Sequence, residues 1–392
     1  MYKILTLNNI AVAGLRRLPR ERYEVASEIG HPDAIILRSY NMHEMDIPET
    51  VQAIARAGAG VNNIPVEQMS KRGVPVFNAP GANANAVKEL VIAGMLLAAR
   101  NLCPAWQYLR SLDAEGEALN KAVEAGKKQF VGFELPSRTL GVVGLGAIGV
   151  QVANTALALG MRVVGYDPQI TVERAWELSS GVEQARNLDD LISRADMLTL
   201  HVPLVDETRG LVGAHHLKLV PEGTVLLNFS RGAIVDEDAV LAALDEGRLA
   251  WYVTDFPSRR NIDHAKVIAL PHLGASTREA EENCAVMVAE NLRAYLEDGI
   301  IRKSVNFPEA DLPRMDAYRI TISNANVPNM VGQISTALAE AGLNIADLLN
   351  KSRGDVAYTI VDLDGPVPED TLDAIRSIKG VLRVRDLGRP AG

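Results

Sequence analysis

The sequence predicts an α/β protein with two doubly wound parallel sheets and a smaller ferredoxin-like module toward the C-terminal end. Three observations carry that prediction. Short β-forming runs alternate with helical stretches over the first hundred residues and again beyond residue 139, as chains of β/α units do. A glycine hexapeptide, GLGAIG at 144–149, stands between a strand-like run and a helix-like run. From about residue 317 the elements read β-α-β-β-α-β.

Taken in order, KILTL, AIILR, VQAIARAGAG and VPVFNAP supply the first β/α units, with glycine and proline as punctuation. A helix begins near Ala84 and runs through VKELVIAGMLLAAR, and the stretch from Trp106 to Phe133 is charged and helical or loop-like. Strand Leu140–Val143, the glycine turn, helix Val150–Leu159 and strand RVVGYD follow, then MLTLHVPL, TVLLNFS and KVIALPH. Ser276, Thr277, Arg278 and Glu279 fit a capping box opening a long amphipathic helix to Leu296. Cys284, Val288, Asn291, Leu292 and Tyr295 recur along it at helical spacing. SVNFPEADLPRMD reads as a linker. In the tail, YRITISN, IADLLNKSR, AYTIVDLD and LRVRDL are strands, and VGQISTALAEAGL and DTLDAIRSI are helices.

The 392 residues are enough for two or three domains, and 47% hydrophobic with 23% charged residues is a globular composition. A net charge of −9 argues against nucleic-acid partners, which need a basic footprint, while leaving room for a local anion site. The sequence holds no uncharged apolar run of membrane-spanning length, so no membrane partner is expected. The start of the chain lacks a signal-peptide pattern, and Cys103 and Cys284 form no spacing motif. The expected location is the cytoplasm. No metal-ligand set is read from the sequence.

GLGAIG fits G-x-G-x-x-G with its strand before and its helix after. Gly144 serves the tight turn, Gly146 the approach of a pyrophosphate, and Gly149 close helix–strand packing, with Ala147 and Ile148 between them. Asp167 closes the next strand eighteen residues beyond Gly149, where an acid accepts from ribose hydroxyls and repels the extra phosphate of NADP. The expected cofactor is NAD. Hydride exchange with a 2-keto acid needs a cation for the carboxylate and carbonyl, and a proton donor of near-neutral pKa. Arg231, in NFSRGAIVDE, and His272, in ALPHLGAS, each follow a strand of the nucleotide domain and suit these roles.

Together these motifs resemble the D-2-hydroxyacid dehydrogenase family over about the first 310 residues. The resemblance implies catalytic Arg231 and His272, and a loop beside the cofactor at His201, Val202 and Pro203, with Asp255 also on the cofactor side. It implies a split, flavodoxin-like substrate domain, 1–92 and 282–310, around a Rossmann domain, 93–281. The family's catalytic glutamate has no counterpart: TDFPSRRNIDH places Arg259 or Arg260 there, and Asp263 is the nearest carboxylate in sequence. A cation at that place would lower the histidine pKa, where the glutamate raises it.

RAGAGVNNIPVE and NAPGANANAVKEL resemble the family branch that acts on a phosphorylated three-carbon hydroxy acid. That resemblance implies Arg56 on the substrate phosphate, amides near Ala59 and Gly60 on the carboxylate, and Asn83 within reach of the substrate. The tail, 317–392, resembles an ACT domain, in which Asn324, Asn326 and Asn344 match effector-binding places, so serine is the expected effector. The implied reaction is NAD-dependent oxidation of 3-phosphoglycerate to 3-phosphohydroxypyruvate, opening the phosphorylated route to serine, in a homodimer or homotetramer. The competing expectations are a glyoxylate or hydroxypyruvate reductase and a non-catalytic NAD-sensing protein.

Overall fold

The computed structural model describes residues 1–390. They divide into two compact units: residues 1–83 together with the chain from 278 onward, and residues 84–277. The first unit opens with β1 (Tyr2–Leu7), α1 (Val12–Leu15), β2 (Tyr23–Ala26), β3 (Ala34–Leu37), β4 (Ala53–Arg56), α2 (Val66–Lys71) and β5 (Val76–Phe77). These five strands are all parallel, in the order β2-β1-β3-β4-β5. This is the flavodoxin-like order. AIIL in β3 is buried throughout, as expected of a central strand covered on both faces.

The second unit contains α3 (Ala84–Ala99), α4 (Leu102–Ser111), α5 (Gly116–Gly126), β6 (Thr139–Val143), α6 (Ala147–Ala158), β7 (Arg162–Tyr166), α7 (Val172–Glu177), β8 (Val182–Gln184), α8 (Leu188–Arg194) and β9 (Met197–Leu200). It continues through α9 (Ala214–Leu217), β10 (Thr224–Asn228), α10 (Glu237–Asp245), β11 (Leu249–Thr254), α11 (Arg259–Ile262) and β12 (Val267–Ala269). Seven parallel strands lie in the order β12-β11-β10-β9-β6-β7-β8, so the direction of winding reverses beside β6. Such a switch point opens a crevice at the strands' carboxyl ends. The helix after the glycine turn starts at Ala147 rather than Val150, placing Gly149 inside its first turn.

The first unit resumes with α12 (Arg278–Asp298), β13 (Tyr318–Ala325), α13 (Met330–Glu340), β14 (Ile345–Arg353), β15 (Val356–Leu363), α14 (Glu369–Ser377) and β16 (Val381–Gly388). The last four strands make an antiparallel sheet, β14-β15-β13-β16, of ferredoxin-like connectivity. Helix α12 buries Cys284, Val288, Leu292, Tyr295 and Leu296 against the first sheet, as its periodicity predicts.

Two expectations from composition give way to packing. The segment read as a linker is built into the unit: Phe307 and Ala310 are fully buried, Ile301 and Ala310 pair, and Asn306 bonds the backbone of Val74 and Val76. The tail does not stand apart. Tyr358 and Ile360 of β15 lie in one core with Phe77, Tyr295 and Phe307. The buried Arg385 guanidinium stacks 4.3 Å from the centre of the Tyr295 ring and donates to the Tyr295 and Leu296 carbonyls and to Gln52 Oε1. Arg319, also buried, has all five N–H groups engaged: by Asp362 through two bonds, and by the carbonyls of Asp298, Leu312 and Pro313. Among the described residues no helix is long and apolar enough to cross a membrane.

Candidate active site

The loops that leave the carboxyl ends of the seven-stranded sheet carry most of the chemistry expected from the sequence. Read along the sheet, His272 follows β12, Asp255 follows β11, Arg231 follows β10, His201 to Pro203 follow β9, the glycine loop follows β6 and Asp167 follows β7. Neighbouring strands are about 4.8 Å apart, so the arginine and histidine leave the sheet about 10 Å from one another.

The glycine loop fits a dinucleotide by exclusion as well as by shape. Gly144 has φ +90°, and a Cβ there would meet the His201 carbonyl oxygen at 2.7 Å. A Cβ on Gly149 would lie 1.9 Å from the Gly144 oxygen, so no other residue closes this turn. At Gly146 a Cβ would meet nothing, and this is the open side of the loop. Gly146 is the N-cap of α6, and no side chain caps the helix. Its first amides, through Ala147 and Ile148, are thus available to a pyrophosphate. Asp167 accepts from Leu145 N and Gln169 N, each at 2.8 Å, and its remaining lone pairs edge a cavity of about 440 Å³ with Leu145, Pro168 and Ile170.

The loop after β9 is pinned to its neighbours. Ser230 donates to the Val202 carbonyl at 2.7 Å, and Thr208 to that of Pro203 at 2.6 Å. His201 is buried beside Thr199, and burial pushes its imidazole down to about 3. With that shift the ring is neutral at physiological pH.

Asn228, fully buried at the end of β10, is a residue that sequence reasoning missed. Its amide donates to the Arg231 carbonyl at 2.9 Å while its Oδ1 accepts from Ser230 N, fixing the turn that presents the arginine. The guanidinium itself is exposed and donates to the Ser230 carbonyl through Nη1. Asp255 is 1% exposed, and its two oxygens accept from Leu273 N at 2.7 Å and Gly274 N at 2.8 Å. It therefore holds the loop of His272 in place. His272 has φ +54°, a left-handed conformation uncommon for a side-chain-bearing residue, and its ring packs edge-on against Phe256, 5.1 Å between centres.

No carboxylate hydrogen-bonds or ion-pairs the His272 ring among the described residues. Asp263 is instead paired with Arg259 at 3.4 Å, and Arg260 with Asp238. Arg259 is 86% exposed, its guanidinium standing in solvent. The reason lies in the local fold: Ser258 caps α11 and donates to Glu237 Oε1, turning both arginines outward.

In the first unit, Arg56 ends β4 with its Nε donating to the Arg38 carbonyl, and its guanidinium folds over Gly58. The Ala59 carbonyl accepts from Asn78, Gly60 lies on the same loop, and Asn83 precedes α3. Arg38, which follows β3 and ion-pairs with Glu281 at 2.7 Å, is a second cation at this sheet edge that motif reading overlooked. In the C-terminal sheet Asn324 is buried, with Oδ1 lacking a partner, and Asn326 bonds the Gly354 carbonyl. Asn344 lies beside Asp364, at the other end of the sheet, so one chain does not bring the three asparagines together.

The model of the D-isomer specific 2-hydroxyacid dehydrogenase NAD-binding domain matches residues 92–274. A D-3-phosphoglycerate dehydrogenase of Escherichia coli is 33% identical over 365 residues, covering 89% of this chain and 85% of that protein. One of Methanocaldococcus jannaschii is 35% identical over 352 residues, which is 87% of this chain and 63% of that longer protein. Among solved structures, NAD+-bound 3-phosphoglycerate dehydrogenase of Entamoeba histolytica aligns with a TM-score of 0.61 at 28% identity, over 78% of this chain and 98% of that one.

Proposed function

We propose, from the premise that the chain belongs to the D-isomer specific 2-hydroxyacid dehydrogenase family, that it oxidises 3-phosphoglycerate to 3-phosphohydroxypyruvate with NAD, opening the phosphorylated route to serine. The single observation that carries this reading is the ordered row of glycine loop, Arg231 and His272 along one sheet edge. Bound NAD supplies the acceptor for the C2 hydride. His272 takes the hydroxyl proton as that C–H bond breaks, and Arg231 binds the carboxylate and stabilises the developing carbonyl. Asp255 keeps the histidine loop in its left-handed turn, and Asn228 keeps the arginine turn. Asp167 favours NAD over NADP through like-charge repulsion.

Arg56, with Arg38 beside it, is assigned to the substrate phosphate, and the amides near Ala59 and Gly60 with Asn83 to its polar groups. Arginine suits this task because its planar fork matches phosphate oxygens. NADH formation from NAD and 3-phosphoglycerate tests the reading. Arg56→Ala should raise KM for the phosphorylated acid about tenfold or more, losing a charge-assisted bond of roughly 1.5–3 kcal/mol, with little change in kcat. Equal turnover of glyoxylate or unphosphorylated hydroxypyruvate, unaffected by Arg56→Ala, would assign a different substrate. Tight NADH binding without turnover of any hydroxy acid would assign a sensor.

Surface chemistry supports an assembly of several copies. Helix α4 buries none of its residues, and Leu102, Trp106 and Leu109 form an exposed apolar stripe at helical spacing. This face is assigned to a homodimer, and pairing of the C-terminal sheets to a tetramer. Trp106→Glu should lower the mass measured by light scattering; an unchanged mass would move the interface elsewhere. The C-terminal sheet is read as an ACT domain whose serine site takes Asn324 and Asn326 from one copy and Asn344 from another. Serine should then slow the wild type but not Asn344→Ala, and equal rates with and without serine would remove the effector.

A further inference from the structure

We propose that the nucleotide unit carries a surface site for a divalent metal ion of the zinc type, made by Asp189, His215 and His216. Its ligands stand on the two short helices α8 and α9. Asp189 stands in the first turn of α8, and the two histidines fill half of α9. His216 Nε2 lies 3.4 Å from Asp189 Oδ1, and His215 Nε2 lies 3.6 Å from Asp189 Oδ2. One donor atom from each residue falls within 4.8 Å of the others.

Each imidazole stands off one of the two carboxylate oxygens by more than a good hydrogen bond and by about the spacing of two ligand atoms on one ion. With metal–ligand bonds of about 2.0–2.1 Å, the ligand atoms of tetrahedral zinc are about 3.3–3.4 Å apart. The donor set of two imidazoles and one carboxylate suits borderline cations and leaves a fourth position for water. His215 is largely exposed, so the open position faces solvent.

A further feature favours coordination over a simple ion pair. No lysine or arginine ion-pairs with Asp189 among the described residues; its neighbour Asp190 takes Arg194 instead. His264 gives the contrast: at 3.2 Å from Asp245 it has a single carboxylate and no third ligand. A bound ion would clip α8, which precedes β9, to α9, which precedes β10.

The test uses untagged, chelator-treated full-length protein titrated with Zn2+ against a chromophoric competitor, and with Co2+ for its visible absorption. One ion per chain is expected, with the intense Co2+ bands of a tetrahedral site and a rise in Tm on adding Zn2+. Asp189→Asn and His215→Ala, both exposed positions that leave folding intact, should weaken binding by more than about tenfold and abolish the bands. His264→Gln should change neither. Binding that survives Asp189→Asn and His215→Ala unchanged would place the ion elsewhere, for instance at His272, and overturn the proposal. Wild type that binds no better than these variants would also overturn it.

Discussion

His272→Ala is expected to cut kcat for 3-phosphoglycerate oxidation by about 10²–10⁴-fold, the usual worth of a positioned acid–base group. NADH affinity should stay within about twofold, because the glycine loop and Asp167 lie several strands away. The neighbouring Arg259→Ala supplies the control. The sequence resemblance puts Arg259 or Arg260 at the place of the family's glutamate, but the Arg259 side chain is solvent-exposed and paired with Asp263. Its loss should leave kcat within about twofold. Stopped-flow absorbance at 340 nm measures both variants. If His272→Ala retained most of its turnover, another group would be carrying the proton, and the absence of a carboxylate behind the ring would be the first clue to which one. If Arg259→Ala proved as damaging, the outward orientation of α11 would not describe the working enzyme.

Asp362→Ala should destabilise the first unit by about 3–5 kcal/mol, because it leaves a buried guanidinium without its counter-charge. Arg319 is 0% exposed and Asp362 3%, and the two share bonds of 2.6 and 2.7 Å. The other Arg319 donors hold the C-terminal end of α12 and the strap of Leu312 and Pro313. The alanine would therefore loosen three segments at once. For a unit of about 200 residues the loss corresponds to a Tm lower by roughly 6–20 °C. The double replacement Arg319→Met with Asp362→Leu removes both charges and should recover most of the loss. A single variant within about 1 kcal/mol of wild type, by urea unfolding, would mean that water reaches the pair.

Much of the nucleotide unit was legible because its chemistry is local. GLGAIG, Asp167, Arg231 and His272 each sit a fixed few residues from a strand end, and strand ends show in the alternation of apolar runs and turns. What could not be read depends on partners distant in the chain. Asn228 reads as one more polar residue after a strand, and only the folded turn shows it bonded to both Ser230 and Arg231. Arg259 reads as a cation beside a histidine, yet Ser258 and Glu237 turn its helix outward. Arg319, Asp362 and Arg385 look like the polar face of amphipathic strands, and their burial is decided by segments tens to hundreds of residues away. Asp189 and the two histidines escaped notice for the same reason, since their spacing fits no local ligand motif.

The three-part core of the first unit also sets a schedule for its making. Ile4, Tyr23 and Ile36 emerge early from the ribosome, but they pack with Val288, Leu292 and Tyr295 and, further on, with Tyr358 and Ile360. Residues 84–277 lie between and contain every strand of their own sheet, so the middle of the chain can close first although it is made second. At about 5–20 residues per second, the opening segment waits roughly 10–40 s for α12, and longer for β15, before that face is covered. During this interval an apolar sheet face is presented to chaperones, and β15 acts as the closing seam of a core that β1 opened.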